Sequence, residues 1–138
     1  MNDLDAVNLA MLIFRVAIGG VMIAHGYNHV WGGGKIAGTA SWFGSMGMRP
    51  ALVQAWLASL TELGAGSLLV LGLLTPFGAA GVTGVMAVAW IIAHRQNGFF
   101  IFRPGQGWEY VAVLLACGIV LGTVGPGEWS LDGALDLT

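Results

Sequence analysis

Residues 51–94 read ALVQAWLASLTELGAGSLLVLGLLTPFGAAGVTGVMAVAWIIAH, a run whose only Asp, Glu, Lys or Arg is Glu62. As one helix at 1.5 Å per residue it would be roughly 66 Å long, over twice the ~30 Å hydrocarbon core of a bilayer. The run must therefore fold back on itself, and Thr75-Pro76 marks where. Thr75 can N-cap the next helix and Pro76 suits its first position. So short a connection makes the helices near 51–74 and 76–94 antiparallel neighbours. Outward from this pair, a first span is expected near 8–31 and a fourth near 108–126, which stops at Gly125-Pro126-Gly127. The expected fold is an all-α integral membrane four-helix bundle, with residues 1–138 forming a single membrane domain.

Composition agrees with a membrane solvent. Charged residues make up 9% of the chain, against roughly 25% in soluble domains, and mean hydropathy is +0.80. Glycine, at 23 residues, permits the close backbone approach that membrane helices favour. A net charge of −2 with no basic stripe argues against nucleic acid as a partner. The first span does not read as a cleaved signal peptide: it lacks a basic leader, Asp3 and Asp5 precede it, and Arg15 lies within it. No internal repeat stands out.

The loops set an orientation. Lys35, Arg49, Arg95 and Arg103 all fall in loops 32–49 and 95–107, whereas the second loop has no basic residue and the C-terminal tail carries Glu128, Asp132 and Asp136. The positive-inside rule then makes both basic loops cytoplasmic and both termini external. Trp42, Phe43 and Met46 would share one face of a short interfacial helix. Phe99, Phe100, Ile101 and Phe102 form an apolar patch that either dips into the interface or covers something.

Two charges lie inside the spans, Arg15 and Glu62. Each costs about 2.5–3.5 kcal/mol near a bilayer centre on insertion scales. Measured from the side of the basic loops, Glu62 lies ~16 Å down its helix and Arg15 ~24 Å down the first. A flexible arginine stem could bridge that difference, so the two are expected to pair. His25, His94 and Glu109 would form a second polar layer nearer the mouth. Arg15, His25, Glu62, His94 and Glu109 are thus the candidate cofactor-binding residues of a one-sided polar well. The competing reading is a buried ion pair that fixes helix register and meets no ligand.

Other features carry less. His25 and His29, spaced i and i+4, share a helix face, but no Cys-rich or His-x-x-Glu partner accompanies them and no metal is expected. A bis-histidine haem between His25 and His94 would need apposed helices. The lone Cys117 reads as a small buried hydrophobe and excludes an intrachain disulfide. Gly118 with Gly122, and Ala80 with Gly84, read as small-residue pairs for close helix packing. Gly32-Gly33-Gly34-Lys35 is no P-loop, because Ile36 stands where a magnesium-binding hydroxyl is needed. Trp31, Trp42, Trp56, Trp90, Trp108 and Trp129 fit interfacial belts.

An ordered set of motifs resembles the DoxX family. Arg15, Gly19-Gly20 and His25-Gly26 are followed by Glu62-Leu63-Gly64-Ala65-Gly66 and Leu71 through Thr75. Next come His94 with Asn97-Gly98-Phe99, then Gly107-Trp108-Glu109-Tyr110, and finally Gly125-Pro126-Gly127 with Ser130-Leu131-Asp132. One departure is Pro76, where family members often carry arginine. The resemblance covers nearly the whole chain and implies a four-helix, multi-pass protein of the bacterial cytoplasmic membrane. Arg15, Glu62, His94 and Glu109 match family positions, although no catalytic role comes with them. The family is named after a subunit of an archaeal terminal quinol oxidase; related proteins belong to thiosulfate–quinone oxidoreductases or accompany a membrane complex in oxidative-stress defence.

The expected function is therefore an accessory or quinone-interacting subunit of a membrane oxidoreductase complex, partnered by the bilayer and by a redox protein. A quinone needs hydrogen-bond donors and a protonatable neighbour, which His, Arg and Glu supply. The sequence holds no flavin, nicotinamide or iron–sulfur fingerprint, so electrons would come from the partner. The rival is a non-catalytic scaffold or a small-solute or lipid carrier; a homo-oligomer is compatible with either.

Overall fold

The computed structural model describes residues 2–137, and their architecture is helical throughout. In chain order the elements are α1 (Asp3–Trp31), α2 (Lys35–Ser45), α3 (Ala51–Leu71), α4 (Thr75–Ala89), α5 (Glu109–Val124) and the short α6 (Leu131–Ala134). A π-helical turn, Trp90–His94, extends α4. Helix α1, α3 and α4 with its π turn are long and apolar enough to cross a membrane; α5 is apolar but only 16 residues long.

Helix α1 begins earlier than residue 8 because its N-terminus is well capped. The Asn2 side chain accepts from the Asp5 amide at 2.7 Å, and Asp3 and Asp5 face the positive end of the helix dipole. The fold-back between α3 and α4 is also displaced. Gly72, at φ +63°, closes α3 with Leu73 N–H donating to Leu68 and Gly72 N–H donating to Leu69, a Schellman ending that needs a left-handed residue. Thr75 is the first residue of α4 and not its cap, contrary to the sequence expectation. The cap arrives from the far end of the chain: the Asp132 carboxylate accepts from the Leu74 amide at 2.6 Å and the Thr75 amide at 2.9 Å.

The bundle is held by glycines that let backbones touch. A Cβ on Gly19 would stand 2.6 Å from the Gly66 carbonyl oxygen, and one on Gly66 would meet the Gly19 carbonyl at the same distance. Lipid gives no hydrophobic reward for helix contact, so such close van der Waals packing is the available adhesive. Gly78 and Gly81 seat α4 against Leu69 and Ala65 of α3. Gly118 and Gly122 seat α5 against Thr83 and Ala79, as the sequence suggested. The other small-residue pair behaves differently. Ala80 and Gly84 are exposed, a Cβ on Gly84 would meet nothing within 4 Å, and both line a cavity instead of a helix contact.

Helices therefore pack in the order α1, α3, α4, α5, around a core that includes Met22, Leu69, Val82 and Leu121. Contact between α1 and α5 is slight. At the end away from α2, the C-terminal segment folds back over the bundle, where the Asn8 amide donates to Glu128 and the Glu128 amide donates to the Asn8 oxygen.

Candidate functional site

The expected Arg15–Glu62 pair does not form. Arg15 is 1% exposed, and its guanidinium donates to the Leu69 carbonyl at 3.2 Å and to the Trp129 carbonyl, with Asp132 as the nearby opposite charge. Glu62 meets His29 instead: Nδ1 and Oε2 lie 2.8 Å apart, yet neither atom makes a hydrogen bond among the described residues, to the other or elsewhere.

Two geometric facts separate the pair. Gly19 packs on Gly66 and Gly26 on Ser59, so the antiparallel register sets Arg15 level with residues near 70, well past Glu62. Side chains in a helix also lean toward its N-terminus. Helix α1 starts at the far end of the bundle and α3 starts at the mouth. Arg15 therefore leans away from the mouth while Glu62 leans toward it.

At the mouth end lies a cavity of about 750 Å³, within the range of small-molecule sites. His25, Glu62 and His94 line it, as does His29, which the sequence reading placed only in a possible metal pair. Arg15 and Glu109 lie off its wall. The Glu62 side chain is 4% exposed and that of His29 17%, so a buried carboxylate and a half-buried imidazole meet on the cavity wall. The periodicity held a usable signal: His29 follows Gly26 by three residues and Met22 by seven, on the face α1 turns to α3.

The remaining polar residues have defined roles. His25 Nδ1 lies 2.9 Å from its own helix carbonyl at Val21, and its ring stacks on Tyr110. His94 Nδ1 lies 2.9 Å from the Gln106 carbonyl. Glu109 accepts from the Ile101 amide at 2.9 Å, bracing the loop between α4 and α5. The Asn97 amide group, which donates to the Ala93 and Gly105 carbonyls, helps close that loop. Phe99 packs edge-on against Trp108, so part of the apolar patch covers its own loop, while Ile101 reaches the cavity.

Helix α2 roofs the cavity. Trp42, Phe43, Met46 and Met48 all line it, and Phe43 meets the His29 ring edge-on. The Thr39 hydroxyl donates to the His29 carbonyl at 2.8 Å, tying the roof to α1. Among the described residues, no three His, Cys, Asp or Glu side chains converge as a metal-ligand set.

At the opposite end, Arg15 and Asp132 form a second polar centre. Asp132 is 2% exposed. Burial alone would raise its carboxyl pKa; the Thr75 and Leu74 hydrogen bonds and the Arg15 charge outweigh burial and hold it below the ordinary carboxylate value. The guanidinium is held by the Leu69, Val70 and Trp129 carbonyls, with Asp132 acting on it through its charge and not through a direct ion pair.

The DoxX family model matches residues 10–95, a span that includes Arg15, His25, His29, Glu62 and His94. No curated protein and no solved structure matches the chain. With its apolar helices and a family match over more than half its length, this multi-pass membrane protein belongs to the DoxX family.

Proposed function

We propose that this chain is a quinone-interacting accessory subunit of a membrane oxidoreductase complex, with the ligand ring held in the mouth-side cavity. The observation that supports it is the shielded Glu62–His29 contact, whose facing atoms make no hydrogen bond, on the wall of a largely apolar chamber. A buried polar group without a full set of partners costs free energy, so one that persists beside a cavity suits a ligand that completes it.

The residues fit a quinone ring. Such a ligand, when bound, supplies a two-electron couple linked to protons at its ring oxygens. Glu62 accepts a hydrogen bond from a ring hydroxyl, His29 donates to a ring carbonyl, and together they can hold a proton at Oε2 or Nδ1. Trp42 and Phe43 offer aromatic faces, while Met46 and Met86 provide adaptable apolar contact. Arg15 and Glu109 act through the framework, by pinning the tail and the loop. Electrons come from a partner protein. The proposed topology has four spans in the bacterial cytoplasmic membrane, with the cavity mouth cytoplasmic and both termini outside.

The test is binding of a water-soluble benzoquinone to the purified protein, read as fluorescence quenching of Trp42 by difference against Trp42→Phe. Wild type should bind saturably, and Glu62→Gln or His29→Ala should weaken binding by roughly ten-fold or more, the loss of one or two hydrogen bonds. Equal binding by all three proteins would end this reading. A scaffold role is favoured by one observation: Phe102 is 79% exposed and stacks on Phe100 at the loop tip. If a colourless partner copurifies and Phe102→Ser releases it while no quinone binds, the scaffold is correct.

A further inference from the structure

We infer that the cavity opens sideways into the bilayer through a window between α3 and α4, and that its ligand carries an apolar chain lying in that opening. The inference rests on the proposed ring site and extends it to the class of ligand, a lipid-borne quinone and not a water-soluble one.

The window begins where α3 and α4 part. Near their connection they touch: a Cβ on Gly78 would stand 3.1 Å from Leu69, and one on Gly81 would stand 2.7 Å from the Ala65 Cβ. Three residues further from the turn on each helix, that register brings Gly84 level with Glu62. At that level a Cβ on Gly84 would find nothing within 4 Å. The absent side chain leaves open space on the wall of the cavity that Glu62 also lines.

A groove runs on from the gap. Ala80, Gly84, Val88 and Ile92 repeat every fourth residue, so they form one row along α4. All four line the cavity and are at the same time exposed. The row is about 18 Å long at 1.5 Å per residue. Across from it, Leu57 of α3 is likewise exposed and likewise lines the cavity. Exposed cavity walls on both α3 and α4 fit an opening between these two helices.

Chemistry selects the occupant. The groove is apolar along α4, and it leads to two shielded polar atoms at its inner end. A ligand with an apolar chain and a hydrogen-bonding ring matches both parts. A packed helix from another chain would cover the groove but leave the Glu62–His29 pair without a ligand.

The experiment compares two probes on the purified full-length protein in detergent: a decyl-substituted benzoquinone and the same ring without the chain. Binding is read from Trp42 quenching. The principal variant is Gly84→Leu, which has room for its side chain and gains helix propensity. It should weaken the decyl compound by roughly ten-fold, the burial of one or two methylenes or more, and change the bare ring by less than about two-fold. Val88→Trp, further along the row, should show the same selectivity and serves if Gly84→Leu fails to fold.

Equal effects on both probes, or none on either, would overturn the window. A change in oligomer mass with neither affinity altered would also overturn it, assigning the groove to helix–helix contact. The ring site is judged separately by Glu62→Gln. Selectivity at Gly84 with no effect at Glu62 would keep the window and discard the anchor. An effect at Glu62 without selectivity would do the reverse.

Discussion

Arg15 and Glu62 meet the same difficulty, a charge beyond the reach of bulk water, with different partners. Arg15 donates to backbone carbonyls in the field of Asp132; Glu62 faces a histidine at 2.8 Å without a hydrogen bond between the facing atoms. Removing the guanidinium leaves the buried carbonyls it satisfies unpaired, at about 1–3 kcal/mol each, and takes a positive charge from near the buried Asp132. Arg15→Met should therefore lower thermal stability in detergent markedly, and a double-mutant cycle with Asp132→Asn should show strong coupling. The Asp132 carboxyl titrates below its unfolded value of about 3.9. Its stabilisation is then complete above that value and disappears as pH falls through the lowered folded one. The melting temperatures of wild type and Asp132→Asn should differ at pH 7 and converge in acid; a constant gap would contradict the assignment. Both charges were visible in the sequence as costly residues. Their partners were not, because Trp129 lies 114 residues from Arg15 and only folding brings it close.

At the scale of elements, glycine has two opposite uses along these helices. Gly19 and Gly66 bring the α1 and α3 backbones into contact, whereas Gly84 leaves space. Gly19→Ala should destabilise by about 1–3 kcal/mol through overpacking, while Gly84→Ala should be neutral or slightly stabilising; detergent unfolding curves of the two variants test this contrast. Composition cannot separate these uses, since each depends on which residue stands opposite. Helix ends divide in the same way. Asn2 caps α1 locally and could be read from its neighbours, but α4 borrows its cap from Asp132. A reading limited to nearby residues assigned that role to Thr75, the nearest residue of capping type.

Over the whole molecule, two polar centres lie at opposite ends: a shielded pair under the α2 roof, and a clamp that fastens the C-terminal segment. The proposed orientation makes the first cytoplasmic and the second external. In a Cys117→Ala background, a cysteine at Phe102 should react with an impermeant maleimide only after the cytoplasmic face is exposed, and one at Leu135 should react from outside. The reverse pattern would invert the topology. Hydropathy and length alone determined that the chain is a multi-pass helical bundle, that residues 51–94 fold back, and which few residues resist lipid. Those are one-dimensional properties, set by the match between apolar runs and bilayer thickness. Tertiary structure decided which polar residues meet. Register fixed by touching glycines, and side chains leaning toward opposite helix starts, carried Arg15 to the tail and Glu62 to His29.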